Sequence, residues 1–336
     1  MSAGGRSGLR WVLLVALAAG VIAGVSLLGL TREDLARLFA GAFWDSTSGR
    51  IFLQLRLPRV LMAFLAGVAL SVSGMVFQAI FRNPLATPFT LGVSSGAALG
   101  AALAVKLGFV ATLFGLSGVT LCSFAGAALT VLLIYLFSTM QRDYSTEAML
   151  LAGVALSFLF SSMILFIQYI SDFSGSYQVM RWLMGDLNTV GFHRPAILLG
   201  VVAPALLVVF FFARDLDLIL AGEELAGTRG VHVERVKIVA FATVSLLTGV
   251  VVSFAGPIGF VGMMVPYLLR IWLGALHRPL LWACVLAGGA FLCVCDLVAR
   301  SLIFPAEIPV GIITALLGSP FFIWLLVRGR SRRLFY

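Results

Sequence analysis

The stretch RDLDLILAGEELAGTRGVHVERVK, residues 214–237, decides how this chain is read. It carries nine of the thirty-seven charged side chains in twenty-four positions. The residues on either side are long apolar runs. Within the stretch Gly222, Ala226 and Gly230 recur every four positions. On a helix that spacing is predicted to put all three on one face, a smooth stripe able to press against another surface. Two readings stay open from the stretch alone. It is an ordinary solvated loop with a short helix, or it is a seat for a partner.

Composition sets the class. The chain is 61% hydrophobic and 11% charged, with a mean hydropathy of +1.09. Soluble domains carry about 25% charged residues, and no soluble packing covers this much apolar surface, so the expected solvent is lipid. The net charge of +9 does not point to nucleic acid. The basic residues stand singly at the ends of apolar runs, as topology signals do. The four cysteines (Cys122, Cys284, Cys293, Cys295) lie inside apolar runs and read as buried free thiols, not as disulfides or a metal site.

Ten apolar spans are predicted: Trp11–Leu30, Pro58–Phe81, Phe89–Leu107, Ala111–Ser138, Thr146–Ile170, Phe192–Ala213, Val236–Ala255, a shorter Gly259–Ile271, Pro279–Ala299 and Val310–Val327. Backbone groups in lipid must bond within their own segment, so the expected fold is all-α. The first run is longer than a signal-peptide core and reads as a retained helix. Residues 1–336 form one transmembrane domain, with 214–237 as a hydrophilic segment inside it. Ten spans put both termini on one side, and Arg328, Arg330, Arg332 and Arg333 predict that this side is the cytoplasm. Fourteen Lys and Arg then face inward and nine outward. Arg56 and Arg59 oppose the trend, either as headgroup anchors or because something outside requires them.

Small residues recur at helical spacing in two spans, at Gly92, Gly96 and Gly100 and at Ala63, Gly67 and Ser71. Such faces let helix backbones approach closely in lipid. Several functions find no support. Neither lysine, Lys106 or Lys237, closes a phosphate-binding GxxxxGK[ST] loop, and no zinc or serine-hydrolase signature occurs. Catalytic residues and metal ligands are expected to be absent. An ion-coupled secondary transporter remains the alternative, but such carriers rely on acids within the membrane. Asp296 is the exception near a span end, and its spacing predicts an i, i+4 pair with Arg300.

Three blocks together resemble the permease family of ABC importers for iron chelates, haem and cobalamin. They are Leu55-Arg56-Leu57-Pro58-Arg59 through Phe81-Arg82-Asn83-Pro84-Leu85-Ala86 and Leu91–Ala97; Gly256-Pro257-Ile258-Gly259-Phe260-Val261-Gly262 through Arg270; and Asp296–Arg300 with Glu307-Ile308-Pro309-Val310-Gly311 through Pro320. The likeness covers about residues 50 to 327. It implies a ten-span permease of the type II importer kind, working as a homodimer in the inner membrane of a prokaryote. Its partners would be two ATP-binding subunits, which carry the ATP and magnesium, and an extracytoplasmic substrate-binding protein. The cargo would be an iron chelate or a related bulky ligand such as haem or cobalamin. By the same resemblance Gly222, Glu223, Ala226, Gly227 and Gly230 would couple to the ATPase. Arg56, Arg59 and Arg300 would dock the binding protein, and Asn83, Leu85, Ser145 and Thr146 would form a cytoplasmic gate. The chain departs from the family pattern at Thr87, Thr228-Arg229, Tyr267 and Leu276.

Overall fold

The computed structural model describes residues 3–27, 46–109, 111–113, 115–140, 146–303 and 306–328. Ser145 and the tail arginines beyond Arg328 lie outside the described residues. The helices are α1 (Ala3–Leu27), α2 (Leu57–Ile80), α3 (Val93–Lys106), α4 (Gly118–Met140), α5 (Thr146–Tyr169), α6 (Phe173–Leu183), α7 (His193–Ala221), α8 (Glu223–Thr228), α9 (Val233–Ala255), α10 (Val261–Leu273), α11 (His277–Ser301) and α12 (Val310–Arg328). A lead-in, helical over Thr47–Ile51 and π-helical over Phe52–Arg56, runs into α2. Among the described residues, seven helical stretches are long and apolar enough to cross a membrane, and three shorter apolar helices (α3, α10 and α12) accompany them.

Helix α2 is the axis. Of its best membrane window 89% is buried inside the chain, against 17% for α1 and 28% for α5. Around it pack α7, α9, α10 and α11. The crossings rest on glycine. A Cβ added at Gly74 would sit 1.7 Å from the Gly262 carbonyl oxygen of α10, and one at Gly67 would sit 2.2 Å from the Gly288 oxygen of α11. The predicted small-residue face of the third span does the same: Gly96 and Gly100 lie against Gly126 and Cys122 of α4. Its first member behaves differently. Gly92 has φ +80 and precedes α3 as its cap, a left-handed turn that glycine adopts without Cβ strain.

Four boundaries differ from expectation. Residues 111–117, predicted inside the fourth span, contain a hairpin of β1 (Thr112–Leu113) and β2 (Leu116–Ser117), so α4 starts only at Gly118. The sixth span runs on through Arg214, Asp215 and Asp217 to Ala221, and the first eight residues of the hydrophilic stretch are a continuation of α7. Helix α6 was not foreseen. Its start is set by Asp172, whose carboxylate accepts from the Gly175 amide at 3.3 Å, an N-cap that precedes an amphipathic turn. The predicted helical stripe Gly222/Ala226/Gly230 is not formed. Helix α8 has only six residues, with Gly222 (φ +154) before it and Gly230 (φ +84) beyond its end. Ala226 is fully buried within the chain. Two glycines eight residues apart mark both ends of a short helix as readily as one face of a long one.

Candidate functional site: polar clusters at the two ends of the bundle

Buried charge collects at two places, the start of α2 and the opposite end of the bundle. At the first, Arg59 stands in the opening turn of α2. Its Nε and Nη2 donate to Asp296 of α11 at 3.0 to 3.2 Å. Its Nη1 donates to Glu307 at 2.9 Å and also to the Asn188 side chain. Arg300 closes the predicted i, i+4 pair, with Nε 3.1 Å from Asp296 Oδ2. Asp296 is 2% exposed and Glu307 45% exposed. A carboxylate this deep is stable only when paired and hydrogen-bonded, and two guanidinium groups supply that for Asp296. Burial pushes the Glu307 carboxyl up, but the Arg59 hydrogen bond and charge outweigh it and hold the group below the usual carboxylate range.

A cleft of about 600 Å³ opens beside this cluster, lined among others by Arg56, Arg59, Thr189, Arg194, Arg300 and Glu307. A second cleft of about 590 Å³, lined by residues of α6, shares Asn188, Arg194 and Glu307 with it. The three arginines expected at the outer end, Arg56, Arg59 and Arg300, are therefore brought to one cleft. Their surroundings differ, since Arg59 is buried among acceptors of its own chain. Asp296 was recognised in the sequence only as a partner of Arg300, and the roles of Asn188 and Glu307 were missed. No local signal marks those two. They reach Arg59 across 129 and 248 residues.

At the opposite end two tethers hold the hydrophilic stretch. Lys237 of α9 is 5% exposed and its Nζ lies 2.7 Å from Glu223 of α8, which is 40% exposed. Asp217, on the extension of α7, accepts from the His277 backbone at 2.8 Å and meets its ring Nδ1 at 2.6 Å. Buried Arg270 of α10 donates to the Met75 carbonyl of α2 at 3.0 Å. Arg82, in the loop after α2, donates to the Ile219 carbonyl at 3.1 Å. Outside these ties Leu225, Gly227, Thr228, Arg229 and Gly230 are exposed, and a Cβ at Gly227 or Gly230 would meet nothing within 4 Å. Of the expected gate residues, Asn83 accepts from the Leu85 amide at 2.9 Å in a tight turn after α2. Thr146 opens α5, and Ser145 is outside the described residues.

Among the described residues, long apolar helices around a central glycine-packed one, with buried ion pairs toward the two ends, define a multi-pass membrane protein. The FecCD transport family matches residues 9–328, and the chain belongs to it as an ABC importer permease. A cobalamin import system permease, BtuC, of Halobacterium salinarum is 42% identical over 272 residues, covering 81% of this chain and 72% of that protein. The hemin transport system permease HmuU of Yersinia pestis is 37% identical over 97% of this chain and 96% of its own length. The vitamin B12 import system permease BtuC of Escherichia coli is 38% identical, covering 97% of each. A solved inward-facing structure of a metal-chelate type ABC transporter superposes with a TM-score of 0.82 at 31% identity, covering 94% of this chain and 99% of that one.

Proposed function

We propose that the chain is the membrane-spanning subunit of an importer that moves an iron chelate, haem or cobalamin into the cytoplasm, driven by ATP hydrolysis on separate subunits. Two copies would form the pathway, with two ATP-binding subunits below and a binding protein above. The Arg59 cluster then faces outward, and the Lys237 cluster and both termini face the cytoplasm. The observation that carries this reading is the distribution of charge. Between Arg59 and Ile80 in α2, after Lys237 in α9, and between Arg278 and Asp296 in α11 no Asp, Glu, Lys, Arg or His occurs. An ion-coupled carrier needs acids along its path, and an energy source outside the chain does not.

The exposed residues of α8 and its flanks, from Leu225 to Gly230, would seat the ATPase, with Glu223 and Gly222 shaping the segment behind them. Arg56, Arg59 and Arg300 would dock carboxylates of the binding protein, and Asn83, Leu85, Ser145 and Thr146 would line the inner mouth. Cysteines at Leu85 or Thr146, in a background lacking the native thiols, are then expected to crosslink between two copies with a yield that changes with nucleotide.

The deciding experiment is uptake into proteoliposomes carrying the assembled transporter, tested against ferric chelates, haem and cobalamin. Uptake of one of these is expected to require ATP and the binding protein and to survive an ionophore. Uptake that needs no ATP and collapses with the ionophore would establish the secondary-carrier alternative instead.

A further inference from the structure

Arg59 poses a problem for docking. It lines the cleft, yet its guanidinium is already taken by two carboxylates of its own chain. The two are not equivalent. Asp296 is 2% exposed and held by both Arg59 and Arg300, so nothing from outside can replace it without stranding a buried charge. Glu307 is 45% exposed, is bound through one oxygen, and sits on the wall between two clefts. A side chain so placed can leave Arg59 and be rehydrated at little cost.

Other donors lie in the same cleft. Among the described residues Arg300 Nη2 and Thr189 Oγ1 are buried without a protein hydrogen-bond partner, and Thr189 is 8% exposed. Buried polar groups are ordinarily satisfied, so these two are open to an acceptor in the cleft, whether water or an incoming carboxylate. Arginine supplies such an acceptor with a planar, permanently charged fork.

We propose that Glu307 is an internal stand-in for the partner's carboxylate, occupying Arg59 in the unbound transporter and giving way when an external carboxylate docks. The proposal rests on the docking reading above and adds to it a residue that sets the threshold. A weakly acidic surface would not displace Glu307, whereas a well-placed carboxylate gains the Arg59 Nη1 donor that Glu307 releases, in a cleft that Arg56 and Arg300 also line. The displaced side chain has the neighbouring cleft to enter, where Arg181 and Arg194 stand among the lining residues. Glu307 lies three residues before α12, and the Ile308 amide donates to the Ala299 carbonyl of α11 at 3.0 Å. Exchange at Glu307 is therefore felt at the starts and ends of two membrane helices.

The test uses purified, full-length transporter and a dansyl-labelled tetraglutamate peptide as the carboxylate probe, with labelled tetraglutamine as control. Glu307→Gln keeps an oxygen for Arg59 and Asn188 and leaves the Asp296 pair intact, so folding is preserved. The loss of one competing negative charge at the rim is expected to tighten tetraglutamate binding about three- to tenfold at low ionic strength, fading in high salt. Arg56→Glu is expected to weaken it. If Arg56→Glu weakens binding while Glu307→Gln leaves it unchanged or weaker, the stand-in role is overturned and the docking cleft stands. If neither variant changes binding, or tetraglutamine binds as well as tetraglutamate, both ideas fall.

Discussion

Replacing Glu223 by Gln should loosen the segment that faces the cytoplasm in the proposed orientation. The Lys237 side chain is 5% exposed, and a Glu223 carboxylate oxygen lies 2.7 Å from its Nζ. Breaking a fully buried pair from one side costs about 3–5 kcal/mol, and an exposed pair is worth about 0.2–1 kcal/mol. Glu223 is 40% exposed, so water takes over part of its role, and a value near 2 kcal/mol follows from the two limits. That is roughly a 30-fold rise in local opening, at 1.36 kcal/mol per tenfold. Hydrogen exchange of the amides of residues 222–231 reads this directly, because the opening frees α8 without unfolding the bundle. Removing both charges, in Glu223→Gln with Lys237→Met, should recover most of the protection, since no buried charge is left alone. An unchanged exchange profile in the single variant would refute the tether. So would a double variant that opens as much as the single one, because the damage would then come from shape and not from charge.

Three further outcomes are expected. Gly74→Ala pushes a methyl group into the Gly262 carbonyl, and overpacking of this kind costs about 1–3 kcal/mol, seen as a lowered Tm of the purified chain; an unchanged Tm would mean α2 and α10 separate freely. Ala226→Trp should disorder α8 because the site is filled, whereas Gly227→Trp, with open space around its Cβ, should fold normally and abolish co-purification of the ATPase; retention of the ATPase would remove this face from the interface. The Tm gap between wild type and Glu307→Gln should be constant near neutral pH and close as acid is added. Glu307 has a lowered folded pKa, so its contribution is full above the ordinary value and vanishes once pH drops through the folded one; a gap that widens in acid would contradict the assignment.

Much of the architecture was legible because lipid enforces helices wherever apolar runs are long enough. The i, i+4 pair of Asp296 and Arg300 and the close-packing glycines of the second and third spans were legible for the same reason, since helical spacing is local. What failed was equally physical. The Gly222, Ala226, Gly230 spacing fits a stripe and a pair of helix stops alike, and only the backbone angles separate them. The hairpin at Thr112–Ser117 hides in an apolar run, because two-residue strands carry no period. Asn188 and Glu307 escaped because pairing across the bundle leaves no trace along the chain.

The burial of α2 has a consequence for the membrane itself. From Arg59, tied to Asp296, to Gln78, whose amide donates to the Met263 carbonyl at 3.2 Å, the helix rises roughly 28 Å. That is close to the hydrocarbon thickness of a bilayer, about 30 Å. Both polar ends find their partners in protein, and little of the helix between them meets lipid within the single chain. Peripheral helices such as α1 and α5 must tilt or stretch the bilayer when its thickness changes. The axis that joins the two polar ends is spared that adjustment, so the spacing between them is set by the chain and not by the lipids of its host.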